Sequence, residues 1–161
     1  MFASPEVTAT QAREHAWKYF ELHAHQRIAV FNFFLVISGA LAAGMAATLQ
    51  GSPRFSSLGV LLGVLLAFVS FLFWKLDQRV SFLIKHAEAS LAQIEGFFPV
   101  PEAQVFMHEP SNTTTAQQQS SFWTRQWSYG RVFRVLFCSM AIVGISGSVL
   151  CGLRFLGHIA W

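Results

Sequence analysis

No aspartate, glutamate, lysine, arginine or histidine interrupts three stretches of this 161-residue chain: Ile28 to Leu49, Leu58 to Trp74 and Val135 to Leu153. Proton relays and ion-coupled transporters place an ionisable group at membrane depth, so this absence argues against secondary transport through an intramembrane charge. Cysteine is equally scarce. The two present, Cys138 and Cys151, share the third stretch, cannot pair with each other along one helix, and are expected to be small packing residues. No Gly-x-Ser-x-Gly elbow, Cys/His pairing or phosphate-binding loop occurs, so catalysis is not expected. His15, His23, His25 and His86, with Glu88 beside the last, match no strong ligand spacing, and neither a metal nor a cofactor is expected.

What the chain has instead is apolar mass: 53% of its residues are hydrophobic, 17 are Phe, and only 12% are charged. A soluble domain of this size seldom carries that composition, and the surplus needs lipid. The charge-free stretches are 22, 17 and 19 residues long, close to the ~20 that cross a hydrocarbon core as helix. The chain therefore reads as an all-α membrane protein with three transmembrane helices, 28–49, 58–74 and 135–153. The polar leader before the first run, and a second run that follows soon after it, are unlike a cleaved signal peptide, so the first run is expected to remain as a span.

The net charge of +3 does not form a nucleic-acid patch, because the basic residues follow membrane topology. Nine of the eleven Lys and Arg precede the first run or lie between the second and third; only Arg54 and Arg154 lie elsewhere. The positive-inside rule then puts the N-terminus and the long loop in the cytoplasm and the C-terminus outside.

Thr8 with Gln11 resembles a capping box, and no Pro or Gly follows until Gly39, so one helix is expected from about Thr10 through Leu49. Glu14 precedes Lys18 by four, a favourable orientation for a surface pair. After Trp74 the chain runs to Glu95 without Gly or Pro, and Leu76, Val80, Leu83, Ala87, Leu91 and Ile94 recur at coiled-coil spacing. Gly96, Pro99 and Pro101 stop that helix. Residues 1–95 thus read as a long helical hairpin whose cytoplasmic stalk, 10–27 and 75–95, closes Trp17 and Phe20 against the seam of Leu76, Val80, Leu83 and Leu91. Residues 96–121 read as a flexible cytoplasmic loop, polar and of low complexity over Ser111 to Ser121. Residues 122–161 read as an interfacial aromatic segment (Phe122, Trp123, Trp127, Tyr129) leading into the third span. Within the hairpin, Asn32 and Ser70 are expected at similar depth, close enough for a hydrogen bond. His25 near Asp77 and His23 near Arg79 are expected as polar contacts at the membrane entrance.

Small residues recur along the spans. Gly59 and Gly63 form a GxxxG, Gly144, Ser148 and Gly152 form a tandem small-xxx-small series, and Gly39, Ala40, Ala43 and Gly44 line part of the first span. Such faces let helix backbones approach closely. They can serve packing within one chain or between copies; because they exceed what three helices of one protomer readily use, a homo-oligomer packed through them is expected.

Two stretches carry a family resemblance: Tyr19-Phe20 through Arg27-Ile28-Ala29-Val30-Phe31-Asn32-Phe33-Phe34, and Trp74-Lys75-Leu76-Asp77-Gln78-Arg79 through Ile84-Lys85-His86-Ala87-Glu88. Over residues 10–95 the layout resembles the SLATT-type and RipA-like small bacterial membrane proteins, from which the third span is a departure. The resemblance implies a multimer linked to bacterial defence, perforating the inner membrane when a partner senses infection. The expectation is a pore-forming or membrane-disrupting effector, held closed by its stalk until a cytoplasmic sensor protein or ligand engages it. The alternative is a non-conducting scaffold that recruits a cytoplasmic enzyme.

Overall fold

Pro5 opens the first helix, α1, which runs unbroken over Pro5–Gln50. The computed structural model describes residues 5–97, 99, 104–108 and 127–159. The Thr8 capping motif suggests a later start, but proline fits the first helical turn, where its missing N–H would have had no helical partner. At 46 residues α1 is about 69 Å long, more than twice a hydrocarbon core of about 30 Å.

Gly51 and Ser52 break the helix, a single 3-10 turn follows over Pro53–Phe55, and α2 then runs over Ser56–Glu95. Gly96 ends it. The third helix, α3, spans Tyr129–Phe155. Its end is set by Gly157, whose φ of 74° falls where a side chain would clash. The Gly157 N–H donates to Arg154 O and the His158 N–H to Leu153 O, the paired bonds of a Schellman stop. Among the described residues there is no strand, and α1, α2 and α3 are all long and apolar enough to cross a membrane.

The chain packs as two units, one from 1–27 and 79–128 and one from 28–78 and 129–161. The first holds seven of the eight acidic residues and is termed the polar unit; the second is the span unit. The low-complexity segment Ser111 to Ser121 and the aromatics Phe122 and Trp123 lie outside the described residues.

In the span unit, phenylalanines hold the end where α1 and α3 begin their apolar runs. Phe31 stacks on Phe133 at 3.9 Å, and Phe34, fully buried, meets Phe137 edge-on at 4.7 Å and Phe73 at 5.4 Å. Each helix contributes to this cluster, and such ring pairs add about 0.5–1.5 kcal/mol each beyond the area they bury.

Candidate functional site

Further along the span unit the packing changes from rings to bare backbone. A Cβ on Gly63 would lie 2.6 Å from Gly144 O, and one on Gly144 would lie 2.6 Å from Gly63 O. The backbones of α2 and α3 are therefore in direct contact at these two glycines. One turn on, the Ser148 hydroxyl donates to Val60 O at 3.2 Å. Gly59 faces Thr48 and Cys151, Gly147 is filled by the Met45 side chain, and Gly152 meets Val60 more loosely. The small residues expected at an interface between copies, Gly59, Gly63, Gly144 and Ser148, are thus occupied inside one protomer. Helix packing within the protomer is one use of these residues, which the motif alone does not distinguish from a contact between copies: small-xxx-small spacing marks close approach without naming the helix that approaches. Cys151 is buried in this packing and Cys138 is exposed.

Asn32 and Ser70 do not pair. Ser70, 1% exposed, donates to Leu66 O of its own helix at 2.8 Å, while Asn32 is exposed on the outside of the bundle.

The far end of the span unit holds a feature that a count of charges misses. Arg154, 7% exposed on the last turn of α3, donates to Thr48 O, to Leu49 O and, at 2.9 Å, to Gly51 O. These carbonyls close α1, where no further turn supplies N–H partners and the helix dipole is negative. In sequence Arg154 reads only as a flanking cation. The signal was there in the topology, since the first and third spans end on the same side and bring a terminal arginine to terminal carbonyls.

In the polar unit, the buried stripe of α2 is Val80, Ile84, Ala87 and Leu91, continued at its two ends by Asp77 of the span unit and by Glu95. The expected seam shares Val80, Ala87 and Leu91. Leu76 is 42% exposed, Leu83 only half-buried, and Ile84 is the residue that is buried. The stripe shifted because it carries a carboxylate at each end, which an apolar period passes over. The Glu95 carboxylate accepts the N–H groups of Phe106 and Met107 at 2.7 and 3.1 Å, capping a helical turn at 105–108. Phe106 in turn meets Phe20 at 5.5 Å and Trp17 at 6.3 Å, both edge-on. Beside these rings lies a cavity of about 510 Å³ lined by Arg13, Trp17, Leu91, Ile94, Glu95, Val105 and Phe106. Its walls are apolar and aromatic, with one cation and one carboxylate. Such a cavity suits an apolar group or a flat ring, and its wall depends on Glu95. Glu95→Ala should free the 105–108 turn at a local expense of about 1–3 kcal/mol. Hydrogen exchange at Phe106 and Met107 checks this: both amides should lose protection while those of α2 below Leu91 keep theirs.

Lys18 and Glu14 pair at 2.7 Å on an exposed face; the hydrogen bond and charge of each hold the carboxyl below its ordinary range and the ammonium above it. His23 pairs with Gln26 of its own helix at 2.9 Å instead of with Arg79. Among the described residues no three His, Cys, Asp or Glu side chains converge as a metal site would require.

Three long apolar helices locked by rings, glycine contacts and one capping arginine define a multi-pass helical membrane protein. Residues 10–153 match the octameric membrane protein family (8xMP), and the chain belongs to that family. It is also 46% identical over 151 residues to an Escherichia coli protein named CD-NTase-associated protein 19, covering 94% of this chain and 95% of that protein. No solved structure matches. The SLATT-type and RipA-like resemblance is one of layout; the family that the comparison establishes is the octameric one.

Proposed function

We propose that the chain is a homo-oligomeric effector of a CBASS-type bacterial defence system, acting without catalysis by permeabilising the inner membrane. The supporting observation is a conjunction: membership in an octameric membrane protein family, with spans that carry no ionisable side chain. A ring of such helices has no proton-bearing group for coupled transport, yet a pore lined by small, hydroxyl and aromatic residues needs none. The defence setting rests on the relative associated by name with a CD-NTase. The distribution of Lys and Arg supports a cytoplasmic N-terminus and long loop and a periplasmic C-terminus.

On this reading the polar unit is a cytoplasmic stalk of coiled-coil type that restrains the pore until a sensor protein or ligand engages it. The aromatic cavity beside Glu95 favours a second reading, a non-conducting scaffold that holds a partner there. The two separate on flux. Ile84→Asp puts a carboxylate into the buried stripe, where an unpaired charge is not tolerated, and should open the stalk while the spans stay inserted. Purified assembly carrying Ile84→Asp, reconstituted in vesicles of bacterial lipid, should release a small entrapped dye that the wild type retains, and its expression should collapse membrane potential. Tight vesicles with confirmed insertion and intact assembly would leave the scaffold.

A further inference from the structure

Gly59, Gly63, Gly144 and Gly147 each have a neighbour where a Cβ would stand, whereas a Cβ on Gly39 would meet nothing within 4 Å. Gly39 lies on the outward side of α1 in the span unit, on a line with Asn32, Val36, Ala43, Ala46 and Gln50, all exposed. At 100° per residue these six fall within about 40° of one direction, and their spacings of 4, 3, 4, 3 and 4 are those of a heptad seam. The seam is small-sided from Gly39 to Ala46, with Val36 beyond and an amide at either end, and Phe33, Leu35 and Ile37 lie exposed beside it. The outward side of α2 offers no such line of small residues: Leu58, Leu61, Val64, Leu65, Phe68 and Phe71 are bulky, apolar and well matched to lipid tails.

We infer that this seam of α1 is the surface on which a second copy of the chain docks. The inference rests on the homo-oligomeric reading above and locates its interface. Small residues at heptad spacing complement another helix, because the backbones can close to direct contact, and lipid tails gain nothing from that shape. The Asn32 side chain makes no hydrogen bond to the described residues and lies one turn inside the apolar run. A lipid tail cannot satisfy its amide; a side chain or carbonyl of a neighbouring copy can, and a single amide in such a seam also fixes register.

The test is the mass of the full-length protein in detergent and in lipid nanodiscs, by mass photometry. Gly39→Leu should lower the fraction of full assemblies by about tenfold or more, since leucine holds two backbones apart. Its melting midpoint as a dissociated protomer should stay with that of the dissociated wild type, because the added side chain has open space. Ala43→Leu should behave alike, Asn32→Leu should weaken assembly less, and Leu61→Phe on the lipid-like side of α2 should leave it intact. Wild-type mass in both Gly39→Leu and Ala43→Leu overturns the assignment, as does loss of assembly in Leu61→Phe or a lowered protomer midpoint in Gly39→Leu, which would place the seam inside the protomer. A wild type that is monomeric in both media overturns the homo-oligomeric reading along with it.

Discussion

Gly63→Leu is expected to abolish the folded protomer, not merely its assembly. The nearest atoms to a new Cβ at this position are Gly144 O, Ser148 N and Ser148 Cβ, between 2.6 and 2.9 Å away. Two of the three are backbone, so no rotamer change relieves the overlap, and α2 and α3 must separate along their contact. That separation also lengthens the Ser148 to Val60 hydrogen bond and unseats Cys151 from beside Gly59. Overpacking of this kind costs about 3 kcal/mol or more, enough to remove most of the stability of a small bundle. Even Gly63→Ala should be destabilising, because the first methyl already makes the clash. Thermal unfolding in detergent, followed by tryptophan fluorescence, should show no cooperative transition for leucine and an early one for alanine. A Gly63→Leu protein with a wild-type midpoint would mean that the two backbones do not touch.

Arg154→Ala carries the second large effect. Its guanidinium bonds three carbonyls at and just beyond the C-terminus of α1, and charge-assisted bonds of this kind contribute about 1.5–3 kcal/mol each when buried. They share one side chain and are not additive, so a loss of about 3 kcal/mol is expected for the set. Arg154→Lys should recover only part of it, because one ammonium cannot fork across three acceptors. The unfolding midpoint should rank wild type, lysine, alanine. Hydrogen exchange should rise first around Ala47 to Gly51. Equal midpoints for all three would show that water caps α1.

The element that sequence makes plainest is the set of three spans, because a run without charge has no other economical explanation. The ends are harder. Thr8 and Gln11 look like a helix start, yet the helix already begins at Pro5. In the polar unit, periodicity finds three of the buried residues on α2 and misplaces the stripe around Leu83. The carboxylates at its ends break an apolar pattern although one of them, Glu95, is tied down by backbone N–H groups. Phe106, which closes the aromatic cluster, comes from a stretch with no period at all. The glycines show the sharpest limit. Spacing alone treats Gly63 and Gly39 alike as small residues in a span, and only three-dimensional packing separates one that is filled from one that is open.

The arginine at the end of α3 has a consequence for how the chain is made. It lies between 103 and 106 residues after the carbonyls it serves. At translation rates of about 5–20 residues per second, those carbonyls wait roughly 5 to 20 seconds for it, the later part of that time in a finished hairpin of α1 and α2. A chain cut short before the last span would leave them waiting permanently, with the glycine faces of α2 uncovered as well. Packing of α3 is thus expected to fasten the bundle during biogenesis, leaving a nascent hairpin without it as the form exposed to membrane quality control.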